Sequence, residues 1–204
     1  MEATELLQAL FRWIHIVAGI IWIGHLYFFN FVNAPFEGTL DADTKKKVVP
    51  QLRPRALYWF RWGAAWTWIT GFLLVLLVFY HGGLMFGADG SWNALSIAMV
   101  AVTFLAFVVY DPVANMDFAK NNKTMAGVGF VGVVLVVLGY VAAGFSYRAY
   151  VIHLGALFGT LMAANVWMRI WPAQRQIITA IRDGQAPPAE KVALAGTRSR
   201  HNVY

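Results

Sequence analysis

Five apolar segments of membrane-spanning length limit the folds open to this chain. They cover residues 6–32, 57–80, 92–113, 125–145 and 147–171. A helix of about 20 apolar residues crosses the ~30 Å hydrocarbon core of a bilayer and satisfies its backbone polar groups internally. The chain is 59% hydrophobic and 13% charged, whereas soluble domains are about one quarter charged. These features predict an all-α, polytopic membrane helix bundle with five transmembrane helices in a lipid bilayer.

Polar stretches separate and follow these spans. Residues 33–56 contain Pro35, Pro50 and Pro54, and we predict a long loop there because proline interrupts helices. Residues 172–204 include "GQAPP", which predicts a short surface helix followed by a flexible end. We therefore divide the chain into a five-helix transmembrane domain at residues 1–171 and a cytoplasmic tail at residues 172–204.

Lysine and arginine lie mostly on one side of the predicted bundle. They concentrate in the loops after the first and third spans and in the tail, whereas the turn after the fourth span has only Arg148. By the positive-inside rule, the N-terminus lies outside and the C-terminus is cytoplasmic. The formal net charge of +6 then reflects orientation and contact with anionic lipid, and we expect no nucleic-acid partner.

Histidines lie inside the apolar spans, where ionisable side chains are costly and usually functional. In this orientation His15 and His153 lie at similar depth in the outer half of the bundle, and His81 lies at the outer end of the second span. Two facing imidazoles in an apolar slot can ligate a b-type haem. We predict a haem b site at His15, His153 and His81, with His15 and His153 as metal ligands. The alternative is that each is a neutral, hydrogen-bonded packing residue.

A further histidine, His25, lies ten residues after His15 in the first span. That separation puts the two rings on different helix faces and about 15 Å apart, so they cannot ligate one metal together. His25 is either a ligand at a second site or a proton-relay residue, or it is a packing residue. The chain has no cysteine, which excludes disulfides, thiolate metal sites and covalent c-type haem. We find no hydrolase or nucleotide-binding motif.

Several longer stretches resemble a known family. They are "RWIHIVAGIIWIG", "LYWFRWGAAWTWITGF", "VVYD", "IHLGALFGTLMAANVW…WPAQRQ" and "RSRHNVY", in this order. Together they are similar to the membrane domain of bacterial membrane-bound, cytochrome-c-linked urate oxidases (urate hydroxylases). The resemblance implies a multi-pass protein of the bacterial inner membrane, purine catabolism, and urate as the small-molecule substrate, oxidised to 5-hydroxyisourate. It supports functional roles for His15 and His153 and gives none to His25.

Two main functions follow from these observations. The first is a membrane redox protein that binds haem b and passes electrons from a small substrate, urate by resemblance, toward a cytochrome c. Because the sequence has no C-x-x-C-H motif, we expect electrons to leave through another subunit. The second is a non-catalytic accessory subunit of a larger membrane complex. A metabolite transporter is a weaker third hypothesis. No catalytic or urate-binding residue can be assigned from the sequence.

Overall fold

The computed structural model describes residues 3–88 and 90–203, except the side chains of residues 120 and 122. This part of the chain is helical and contains no strand. Its α-helices are α1 (Ala3–Tyr27), α2 (Ala34–Thr39), α3 (Ala42–Val75), α4 (Ala94–Val113), α5 (Asn122–Ala142), α6 (Tyr147–Ala164), α7 (Trp171–Arg182) and α8 (Ala189–His201).

Five helices of the described chain are long and apolar enough to cross a membrane. They are Ala3–Thr39, Ala42–His81, Ala94–Val113, Lys123–Ala142 and Tyr147–Arg182. The prediction of an all-α chain with five long apolar helices is therefore confirmed. The direction in which the helices cross a bilayer stays a prediction.

Three of these long helices include a π-helical stretch. Phe28–Asn33 joins α1 to α2, Leu76–His81 extends α3, and Asn165–Ile170 joins α6 to α7. Such stretches are rare and frequently occur at functional sites. Each of the three carries a polar side chain with a hydrogen bond described below.

The predicted loop at residues 33–56 is wrong, because nearly all of it is helical. The chain breaks only at Leu40 and Asp41, where the Asp41 carboxylate accepts a hydrogen bond from the Thr44 backbone N–H at 2.9 Å. Pro50 and Pro54 both lie inside α3, although each lacks a backbone N–H. Packing offsets this cost, since neighbouring Val49 is fully buried.

Residues 172–204 also contain more helix than the sequence predicts. In place of one short surface helix, this segment holds most of α7 and all of α8. Ala173 and Ile177 of α7 pack with Ala195 of α8 in a small buried cluster. The described residues therefore do not form a flexible end, while the domain boundary at residue 171 stays a prediction.

The helices divide into two compact units. The first unit holds the chain up to Arg12 together with Trp68–Leu161, and the second holds Trp13–Thr67 together with the chain from Met162 onward. The core of the first unit contains Phe79, Met85, Met99, Tyr140, Ala143, Phe145 and Ala149. Beside this core, the Ser146 N–H donates to the Met85 carbonyl at 2.9 Å, which connects the loop before α4 to the start of α6.

In the second unit, α1 and α3 approach closely at Gly63. A Cβ there would lie 3.1 Å from the Trp22 nitrogen and 3.2 Å from the Ala18 carbonyl oxygen, both backbone atoms. We expect Gly63→Ala to lower the free energy of unfolding by about 1 kcal/mol, because the backbones must move apart. Gly129→Ala is the control, since a Cβ there meets nothing within 4 Å, and it should be neutral or stabilising. Thermal melts in detergent measure both; equal melts would contradict the prediction.

Candidate functional site

The structure buries His153 completely in the first unit. Its Nδ1 lies 2.7 Å from the Ala149 carbonyl oxygen, one helical turn earlier in α6. Its Nε2 lies 2.9 Å from the Tyr80 hydroxyl. Because a carbonyl only accepts, Nδ1 carries the hydrogen and donates, and in the neutral ring Nε2 accepts from Tyr80. Both ring nitrogens therefore have protein partners.

Aromatic rings surround this imidazole. Those of Tyr80 and Phe145 lie 5.6 and 5.1 Å from it between centroids, and those of Phe79 and Tyr140 lie 6.3 and 6.0 Å away. The Tyr140 hydroxyl in turn lies 2.7 Å from the Thr103 hydroxyl. An imidazole so enclosed does not fit a haem ligand, because iron at Nε2 would have to displace Tyr80 and a porphyrin would have to displace the rings.

His15 belongs to the second unit and is half-buried. Its Nδ1 lies 2.9 Å from the Thr67 carbonyl oxygen on α3 and donates to it. Nδ1–H donation to a backbone carbonyl is the usual way in which a protein orients a ligating histidine. A haem held by His15 and His153 together stays a prediction.

His81 ends the π-helical stretch of the first unit and is exposed. It follows Tyr80 directly in the same stretch, so its side chain leaves the helix in a different direction from the tyrosine. Among the described residues, no group of three or more histidine, cysteine, aspartate or glutamate side chains could hold a metal ion. A cofactor role for His81 stays a prediction.

His25 lies in the second unit on an open, apolar groove of about 400 Å³. The groove is lined by Ile20, Ile21, Gly24, His25, Phe28 and Ala56. The His25 Nδ1 lies 2.7 Å from the Ile21 carbonyl oxygen and donates to it. Within the described part of the chain, Nε2 has no hydrogen-bond partner.

The sequence does not predict the buried ion pair of the second unit. Glu37 and Arg53 form a bidentate salt bridge, with side chains 7% and 18% exposed. Glu37 also accepts from the Asn33 amide at 2.8 Å, and Arg53 donates to Gln174 of α7 at 3.0 Å. This network joins α2, α3 and α7. From the sequence, Arg53 is only one of the positive charges that predict the orientation in the membrane. Nothing in the spacing shows that Glu37 faces it.

A second polar network holds α8 in place. The Asn165 amide donates to Asn202 at 3.0 Å, Asn202 donates to the Met162 carbonyl at 3.1 Å, and Asn30 donates to Ser199 at 2.8 Å. Arg198 is fully buried in the same segment. Arg198, Ser199 and Asn202 of the motif "RSRHNVY", which the sequence identifies only by resemblance, therefore have a structural role.

His201, near the end of α8, predicts a pH dependence of stability. Burial, and then the positive charges of Arg198 and Arg200, lower the pKa of its imidazole below the ordinary 6.5. The unfolded chain therefore takes up a proton on acidification before the folded chain does. The contribution of the neutral His201 to the free energy of unfolding is therefore fully present above about pH 6.5, and it is lost as the pH falls below that value.

We expect the melting temperature to fall between about pH 7.5 and pH 5.5. The fall should be smaller in His201→Gln, which cannot titrate, and thermal melts across this range measure the difference. An identical pH dependence in the two proteins would contradict this role of His201.

The fold and the buried polar groups together define a class. This is a helical protein whose five apolar helices are long enough to cross a membrane, with hydrogen-bonded polar side chains buried in each unit. Within this class the chain belongs to the urate oxidase N-terminal family, whose model matches residues 36–204. No curated protein and no solved structure matches it at a significant level.

The family match confirms the resemblance to urate oxidases at the level of the family. It includes His81 and His153, whereas His15 and His25 precede the matched residues. The match does not distinguish the membrane-bound, cytochrome-linked kind of urate oxidase from any other, so that subtype stays a prediction.

Proposed function

We propose that this chain is the membrane part of a urate-oxidising system of the cytochrome-c-linked kind. The observation that carries the proposal is the family match over residues 36–204. The five membrane-length helices support a membrane location. In this proposal the protein lies in the bacterial inner membrane, with the N-terminus outside and the C-terminus in the cytoplasm.

The proposed reaction is a two-electron oxidation. Water supplies the oxygen that forms a new C–O bond at C5 of urate, giving 5-hydroxyisourate, and two electrons and two protons leave. A cytochrome c accepts one electron at a time, so each urate reduces two ferricytochrome c molecules. Haem b remains the predicted intermediate carrier. Because the surroundings of His153 do not fit a haem ligand, we derive no step through it and assign no catalytic residue.

The test uses membranes from the native host, with and without the gene for this chain. We expect urate to reduce added ferricytochrome c, two molecules per urate consumed, only when the gene is present. Re-expression of the chain should restore the activity. Equal urate-dependent reduction in both membranes would refute the proposal.

A second candidate function is an accessory subunit of such a complex without chemistry of its own. Both ring nitrogens of His153 are hydrogen-bonded within the protein, and this favours the accessory function. A reduced-minus-oxidised visible spectrum of the purified chain separates the two functions. A b-type α-band would support the redox role, whereas a flat spectrum with partner subunits at fixed stoichiometry would support the accessory role.

A further inference from the structure

We propose that the groove around His25 binds the ring of a membrane quinol, a hydroquinone with an apolar tail. The groove lies entirely in the second unit, between residues of α1, the first π-helical stretch and α3. Its walls are aliphatic or aromatic, and His25 is the only polar side chain among its lining residues. A ligand here therefore meets a single directional polar contact on an apolar surface.

The tautomer of His25 decides which ligands can make that contact. Since the Ile21 carbonyl only accepts, the Nδ1 at 2.7 Å from it carries the hydrogen. In the neutral imidazole, Nε2 then presents a lone pair and accepts a hydrogen bond. The ligand must donate, and a hydroquinone hydroxyl donates whereas the carbonyl oxygen of the oxidised quinone cannot.

Other ligands satisfy this site less well. The phosphate and ester oxygens of phospholipids are acceptors, so a phospholipid could bond to Nε2 only through a headgroup ammonium or hydroxyl group. A metal ion would find one nitrogen ligand, and no group of three or more metal-binding side chains occurs among the described residues. A quinol ring meets the remaining surface well, because the lining includes the aromatic ring of Phe28. The open side of the groove leaves room for an apolar tail.

The experiment measures binding to the purified full chain by isothermal titration in detergent, without urate. The probes are decyl hydroquinone and its dimethyl ether, which has the same ring and tail but no donor. We expect the hydroquinone to bind about tenfold more tightly, because an unsatisfied acceptor is costly to bury. The oxidised decyl benzoquinone should bind like the ether.

Two variants test the site, one by removing the hydrogen-bond acceptor and the other by filling the groove. His25→Phe removes the acceptor and should reduce hydroquinone affinity to that of the ether. Gly24→Leu keeps His25 but fills the groove, so both probes should bind weakly. The fold should tolerate this change, because a Cβ at Gly24 meets nothing within 4 Å. Gly129→Leu, with the same free space in the first unit, is the control and should bind normally.

Three results would overturn the proposal. They are equal affinity for hydroquinone and ether in the unaltered chain, unchanged hydroquinone binding in both groove variants, and a co-purified phospholipid in the groove that hydroquinone does not displace. Circular dichroism and melting temperatures establish that each variant is folded. Because no urate is present, the outcome is independent of the proposed urate chemistry.

Discussion

Replacing Arg53 by methionine is expected to lower the free energy of unfolding by about 3–5 kcal/mol. The substitution leaves the Glu37 carboxylate, whose side chain is only 7% exposed, buried without its counter-charge. It also removes the hydrogen bond to Gln174 that connects α3 to α7. Unfolding by increasing fractions of SDS in mixed micelles measures the loss.

Two further variants show whether the charge itself is responsible. Arg53→Met combined with Glu37→Leu removes both charges and should recover most of the lost stability, since a buried ion pair can often be replaced by apolar residues. Asp183→Asn breaks the exposed pair with Arg182 and should have no measurable effect. If Arg53→Met lowered the free energy of unfolding no more than Asp183→Asn does, the ion pair would not stabilise the second unit.

Replacing His153 by alanine is expected to destabilise the first unit by about 3–4 kcal/mol. The change empties a site enclosed by four aromatic rings and leaves the Tyr80 hydroxyl without its acceptor. Tyr80→Phe is the matched variant, because it removes the same hydrogen bond but leaves no cavity. It should cost about 1–2 kcal/mol.

The same two variants separate packing from ligation. A packing role predicts that His153→Ala lowers the melting temperature and leaves any visible spectrum unchanged. If His153→Ala abolished a b-type α-band while Tyr80→Phe retained it, the imidazole would be an iron ligand. His153 would then have to leave Tyr80 when the cofactor binds, and our description of this site as closed would fail.

The five long apolar helices could be predicted because they depend only on local runs of apolar residues. Runs of about 20 apolar residues have few alternatives to a membrane helix. The structure of residues 33–56 is harder to predict, because Pro50 and Pro54 indicate a loop when only the local sequence is considered. Whether a helix tolerates them depends on distant contacts, such as those of Val49 and Arg53, which the local sequence does not show.

The burial of His153 could be expected from its place in an apolar span, but its partner could not. Tyr80 lies in a π-helical stretch, and such a stretch shifts the phase of every residue after it relative to an ideal α-helix. A helical wheel drawn from the sequence therefore misplaces Tyr80 and His81. Spacing alone also could not show that both ring nitrogens of His153 have protein partners, whereas His25 lines an open groove.

The three π-helical stretches also affect how related sequences should be aligned. A relative that lacks one residue between positions 76 and 81 would still form a continuous helix of nearly the same length. Because a π-helical turn holds about one residue more than an α-helical turn, the side chains on both sides of the deletion would keep their directions. A single-residue gap at 28–33, 76–81 or 165–170 therefore indicates that an α-helical turn replaces the π-helical one, and the helices on either side should be aligned without a shift.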